Sequence, residues 1–151
     1  MRLHPATVLS LSTLLCLPLL SGCSVPPPQN IGVVDNHLHP CPQTPNCVSS
    51  EAAASDAEHV IAPLRYAGSA EQARARLEQL LGSQPRVRLV TATPTYLHAE
   101  FTTRLLRFVD DVEFLFVTPG RIEVRSASRV GRSDMGVNRE RVEALRRQFS
   151  G

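Results

Sequence analysis

Asp110, Asp111 and Glu113 crowd together between Phe108 and Phe114, and further on Arg125-Ser-Ala-Ser-Arg129-Val-Gly-Arg-Ser-Asp134-Met-Gly-Val-Asn-Arg139 interleaves arginines with hydroxyls. Close carboxylates can serve as an acid and base pair, and arginines with serines can hold an anionic or hydroxylated ligand. Neighbours on a strand point to opposite faces, so Asp110 and Asp111 share a site only if the chain turns between them. His98, on the same strand face as Glu100, is an outside candidate for a base. No serine elbow, Cys-His pair or phosphate loop accompanies it, and a histidine satisfied within a sheet is the commoner case. The same residues also suit a structural network: Asp110 or Asp111 with Arg129 or Arg139, and Glu113 with Arg125. The candidate binding or network residues are therefore Asp110, Asp111, Glu113, Arg125, Ser126, Ser128, Arg129, Ser133, Asp134, Asn138 and Arg139. No catalytic residue, metal ligand or cofactor is assigned.

These side chains need strands and a helix to position them. Ser69 reads as a helix N-cap, with Gln72 completing a capping box. Ala70, Ala73, Leu77, Leu80 and Leu81 follow at helical spacing, and Gly82 is the expected end of that helix. Four stretches rich in β-formers come next: 86–92, 96–103, 112–118 and 121–127. A last helix, roughly 138–149, presents Val142, Leu145 and Phe149 on one face. His59 to Tyr66 suits an entering strand or extended arm. Strands between two helices predict an α+β fold, an antiparallel sheet of about four to five strands carrying two helices. Thr118-Pro119-Gly120 suits a three-residue hairpin loop with Gly120 left-handed. That register pairs Phe116 with Ile122, Phe114 with Val124, Val112 with Ser126, and Glu113 with Arg125.

The four cysteines sort by position. Cys16 lies in an apolar run and Cys23 closes Leu20-Ser21-Gly22-Cys23, which leaves Cys41 and Cys47. In an oxidising compartment this even pair is expected to form a structural disulfide at the N-terminal edge of the domain. Asp35, His37 and His39 alternate just ahead of Cys41, as ligands on one side of a strand would. Histidines in linkers are common, and no metal is expected there.

Residues 1–22 have the parts of a secretion signal, with Arg2 and His4 ahead of a 15-residue apolar run, Ala6 to Leu20, that contains Pro18. About 20 apolar residues are needed to span a bilayer, and a shorter run is typical of a signal core. Leu20 to Cys23 resembles the lipobox of bacterial lipoproteins. That resemblance implies removal of residues 1–22, acylation of Cys23 and attachment to a membrane. Ser24 in place of Asp implies the outer membrane, facing the periplasm. Residues 23–40, with Pro26-Pro27-Pro28, read as a flexible tether reaching roughly 50 Å. The single α+β domain is expected over 41–151.

Without residues 1–22 the chain has 129 residues, enough for one domain. It keeps 15 arginines, no lysine and 14 acidic residues, a formal charge of +1. No polybasic run stands out, and no nucleic-acid partner is expected.

Cys41-Pro-x-x-Pro-Asn-Cys-Val-Ser-Ser50, Phe108-Val-Asp-Asp-Val-Glu-Phe114 and Arg125-Ser-Ala-Ser-Arg-Val-Gly-x-Ser-Asp-x-Gly-Val-Asn-Arg-x-Arg141 resemble three signatures of the family catalogued as domain of unknown function 1499. The resemblance covers about residues 41–149. It brings no established activity, cofactor or catalytic residue, and several members of the family also carry a lipoprotein signal. The expectation is a lipid-anchored envelope protein, a non-enzymatic module binding a small or anionic ligand. An assembly partner of another envelope protein is the alternative, and a hydrolase using Asp110, Asp111 and Glu113 the more distant one.

Overall fold

Period-two alternation from Val87 to Ser128 produces the centre of the molecule, a run of antiparallel strands whose two faces differ in chemistry. The computed structural model describes residues 28–150. Residues 1–22 and Cys23 lie outside the described residues, and so do the first positions of the expected tether.

In chain order the elements are β1 (Val33–Val34), β2 (His37–Leu38), β3 (Cys47–Ser49), β4 (Leu64–Arg65) and α1 (Ala70–Ser83). Then follow β5 (Val87–Ala92), β6 (Tyr96–Thr102), β7 (Val109–Thr118), β8 (Arg121–Ser128) and α2 (Val137–Ser150). The main sheet runs β3-β8-β7-β6-β5, with β4 also pairing β8, and every pairing between these strands is antiparallel. The fold is α+β. Among the described residues, no helix is long and apolar enough to cross a membrane.

Both helices cover one face of the sheet. Leu77 and Leu81 of α1 and Val142, Leu145 and Phe149 of α2 are buried with Leu97, Ala99, Val112, Phe114, Ile122 and Val124. Every buried apolar side chain among the described residues falls between Leu38 and Phe149, so the domain carries its own core. The start of α1 is held as its sequence requires: Ser69 Oγ accepts from Gln72 N, and Gln72 Oε1 accepts from Ser69 N. The helix does not stop at Gly82. It continues to Ser83, and Gln84 is extended at φ −77° and ψ 138°, because Pro85 disfavours helical backbone in the residue before it.

The β7–β8 hairpin pairs Phe114 with Val124, Val112 with Ser126 and Glu113 with Arg125. The expected Phe116–Ile122 pair is displaced. Thr118 pairs with Arg121, and the register shifts between Leu115 and Thr118. The loop is thus the two-residue Pro119-Gly120, with Gly120 at φ +73°, a conformation that costs glycine nothing.

Cys41 and Cys47 are bridged, with Cα atoms 5.7 Å apart. Residues 33–38, assigned from sequence to the tether, instead form the β1–β2 hairpin. Its turn residues Asp35 and Asn36 both have positive φ, 51° and 62°, a conformation Asx side chains tolerate. Leu38 is buried with Tyr96 and Leu115 on the sheet face away from the helices. A six-residue hairpin with strands of two residues each is too short to show periodicity, so only its packing reveals it. The turn also ends the alternation of Asp35, His37 and His39: His37 Nδ1 lies 2.8 Å from Glu51 Oε1. Among the described residues, no group of three or more His, Cys, Asp or Glu side chains could hold a metal ion.

Candidate functional site

The strand pleat divides the expected site. On β7, Asp110 shares the helix-covered side with Val112 and Phe114, while Asp111 and Glu113 share the other side with Leu115. The adjacent aspartates therefore belong to different networks.

On the face away from the helices, Arg125 Nη1 donates to Glu113 Oε2 at 2.9 Å. Glu113 Oε1 accepts from Tyr96 Oη and from Gly32 N, each at 2.8 Å. The stretch leading into the β1–β2 hairpin thus seals this pair from one side. Burial, and next the Glu113 charge, push the Tyr96 phenol far above its ordinary value.

Beside it lies a chain of charges. Arg129 grips Asp111 with Nε on Oδ2 at 2.8 Å and Nη2 on Oδ1 at 2.7 Å, and Nη2 also reaches Glu100 Oε1 at 2.5 Å. Arg88 Nη2 donates to Glu100 Oε2 at 2.7 Å. His98 Nε2 lies 2.7 Å from Asp111 Oδ1. Burial raises the Asp111 and Glu100 carboxyls, but the bonds from Arg129, His98 and Arg88 outweigh it and hold both below their ordinary values. The hydrogen bonds from Arg129 to Asp111 and Glu100 likewise outweigh burial and raise the guanidinium further.

The third network faces the helices. Arg141 pairs with Asp110 and also donates from Nη1 to Asn138 Oδ1 at 2.5 Å and Ser126 Oγ at 3.2 Å. Its guanidinium lies 5.0 Å from the Phe101 ring centre. Ser126 Oγ donates to Asn138 Oδ1 at 2.6 Å, and Asn138 Nδ2 donates to Ser128 Oγ at 3.0 Å and Asn46 O at 3.1 Å. Asp134 accepts from Gly136 N and Asn138 N at the start of α2, and Ser133 Oγ accepts from Met135 N.

Sequence placed Glu113 with Arg125 and left Asp110 or Asp111 to Arg129 or Arg139; the structure pairs Glu113 with Arg125 and Asp111 with Arg129. Arg139 is elsewhere: it donates to Val60 O at 2.8 Å and Glu58 O at 2.9 Å, fastening the segment before β4. Its expected place opposite an aspartate is taken by Arg141. That residue lies three positions from Asn138 and four from Leu145, both on the buried face of α2, a spacing compatible with this place that does not by itself select it over Arg139. Tyr96, Asn46 and Arg88 also belong to the networks, though nothing in their spacing singled them out.

A cavity of about 1110 Å³ opens between the β6–β7 loop and the β8–α2 loop. Asp110, Ser128, Arg129, Ser133 and Asp134 line it, whereas Asp111, Glu113, Arg125, Ser126, Asn138 and Arg139 do not. Its walls also include Val90, Leu106, Phe108, Val109, Val130 and Val137, with Arg88 and Arg107 among them. Of the three carboxylates considered for hydrolysis, only Asp110 lines it, and that side chain is held by Arg141. His98 and Glu100 line it as well. Glu100 is bonded to Arg129 and Arg88, and Asp134 to backbone amides, so the cavity offers an apolar body a polar edge whose acidic groups are already engaged.

A family model described as "Protein of unknown function (DUF1499)" matches residues 37–149. No curated protein matches the chain.

Proposed function

The chain belongs to the DUF1499 family of proteins of unknown function, and from that premise we propose that it is a non-enzymatic binding module held at the cell envelope. The anchor in this reading is lipid on Cys23, in the outer membrane and facing the periplasm. The ligand is a small anion with an apolar body, seated in the cavity between the β6–β7 and β8–α2 loops.

The cavity itself carries this reading. Its volume of about 1110 Å³ lies just above the range of small-molecule sites, which run to roughly 1,000 Å³ and combine apolar walls with a few placed polar groups. Arg107, Thr102, Thr103 and Ser133 are polar groups on its walls that the charge networks do not consume. The ion-paired residues behind them fix the walls, so the ligand contacts fall on the loops more than on the network.

The test is native mass spectrometry of residues 24–151 secreted to the periplasm, alongside Val137→Trp, which narrows the cavity from its half-exposed wall. A reproducible excess mass on the parent that Val137→Trp lacks, at an unchanged melting temperature, supports the module. A bare polypeptide in every preparation, with no thermal shift from anionic amphiphiles, overturns it. The anchor is tested separately: Cys23→Ser in the full chain should move the protein out of membrane fractions, and retention there refutes acylation.

A second reading has its own support. All three carboxylates named from sequence are matched by arginines: Asp110 by Arg141, Asp111 by Arg129 and Glu113 by Arg125. Such a rigid, well-paired frame suits an assembly partner of another envelope protein, and in-cell crosslinking from residue 105 would identify it.

A further inference from the structure

The β6–β7 loop (103–108) and the β8–α2 loop (129–136) flank the same cavity, and their outer side chains are not those that line a core. Leu105 is 83% exposed, Leu106 70% and Met135 95%. Arg104 and Arg107 bracket the two leucines, Arg132 precedes Met135, and all three arginines are exposed. None of these arginines forms a salt bridge among the described residues. The β6–β7 loop contains no acidic residue. Asp134, the acidic residue of the β8–α2 loop, is turned to the backbone amides of Gly136 and Asn138. The β6–β7 loop is also closed at its base. Thr103 N donates to Phe108 O at 2.8 Å, and Phe108 N donates to Thr103 Oγ1 at 2.9 Å. The leucines therefore sit at the tip of a fastened protrusion.

We propose that these two loops form a membrane-contact surface selective for anionic phospholipid. Leu105, Leu106 and Met135 enter the boundary between headgroups and acyl chains, and Arg104, Arg107 and Arg132 meet lipid phosphates. Large apolar side chains interleaved with arginines suit that boundary: the apolar tips leave water while the guanidinium groups remain at headgroup depth. The charge argues against an apolar protein groove as the occupant, because three arginines without acidic partners would be desolvated there. The contact is independent of acylation at Cys23, but it shares Leu106, Arg107 and Met135 with the cavity wall, so a bound bilayer and a cavity ligand would meet at that rim. It would orient a tethered domain on the bilayer.

The chain has no tryptophan, so Leu105→Trp supplies a single reporter at the loop tip. The protein tested is residues 24–151, which hold the whole core described above and carry no lipid. It is mixed with vesicles of phosphatidylcholine alone, and with vesicles in which part of that lipid is phosphatidylglycerol. The expected result is a blue shift of emission and co-sedimentation with the anionic vesicles only. Arg104→Glu with Arg107→Glu should weaken binding about tenfold or more, and Leu106→Ser with Met135→Ser should weaken it similarly. All these positions are exposed, so melting temperatures should match the parent and show that each variant is folded. Emission unchanged on both vesicle types, or binding that survives charge reversal, overturns the proposal.

Discussion

Arg125 and Glu113 stand opposite each other on β8 and β7, their side chains 1% and 0% exposed, with Arg125 Nη1 donating to Glu113 Oε2 at 2.9 Å. Two charges so far from water stabilise the domain only together. Arg125 Nε is buried without a hydrogen-bond partner among the described residues, so even the intact pair is incompletely satisfied.

Removing one partner strands the other. Arg125→Met alone is expected to cost about 3–5 kcal/mol in urea unfolding, whereas Arg125→Met with Glu113→Leu should recover part of that loss. Losses that simply add would show that the two side chains do not act as a pair.

Arg129 governs the acid limb of stability. Burial raises Asp111 and Glu100, but Arg129, with His98 and Arg88, holds them below their ordinary values of 3.8 and 4.5. A carboxylate depressed on folding contributes stability above its unfolded value and loses it as pH falls through the folded one. Urea midpoints should therefore be level near neutrality and decline below about pH 4.5. Arg129→Ala should cost about 1–3 kcal/mol at neutral pH and flatten that decline. A variant as stable as the parent would mean that the two carboxylates do not depend on Arg129.

His59 should act in the opposite direction. Burial lowers its pKa, but Nδ1 bonds Asp56 Oδ2 at 2.8 Å and Nε2 lies 3.2 Å from Thr44 O, so the net shift is upward from 6.5. Both ring nitrogens face acceptors, which suits the protonated ring. Its stabilising contribution is complete below the unfolded value and is lost as pH rises through the folded value. A proton NMR titration should place His59 above 6.5, and Asp56→Asn should move it down. An unmoved midpoint in that variant would remove Asp56 as the cause.

The Cys41–Cys47 bridge should matter locally as well as globally. Closing so short a loop is worth about 2 kcal/mol on chain-entropy grounds. Asn46, next to Cys47, accepts from Ser128 N at 3.0 Å and donates from Nδ2 to Gly131 O at 2.8 Å. Reduction is expected to speed amide exchange at Ser128 and in the β8–α2 loop, while the centres of β6 and β7 stay protected. Uniform acceleration across the sheet would show instead that the bridge acts only on global stability.

What was legible followed from local rules. The Ser69–Gln72 capping box is an interaction between near neighbours, and the β7–β8 register follows from alternation, which a one-residue slip would invert. Once that register was set, Glu113 had to oppose Arg125. The choice of Arg141 over Arg139 was not set this way. Both lie on α2 near its start, and only the helix's rotation against the sheet selects the guanidinium that meets Asp110. The β1–β2 hairpin has no local signature because it owes its place to Leu38 packing on Tyr96 and Leu115, residues distant in the chain. The family match begins at His37, inside that hairpin.

The sequence by itself therefore determined the α+β class, the helix cap, the central hairpin and its charge pair, because each depends on periodicity or on residues close along the chain. Only the tertiary structure decided which face each network occupies, which arginine serves Asp110, and that a cavity opens between two distant loops. Those outcomes depend on how helices and loops pack against the sheet, a relation among residues far apart in sequence that no local pattern encodes.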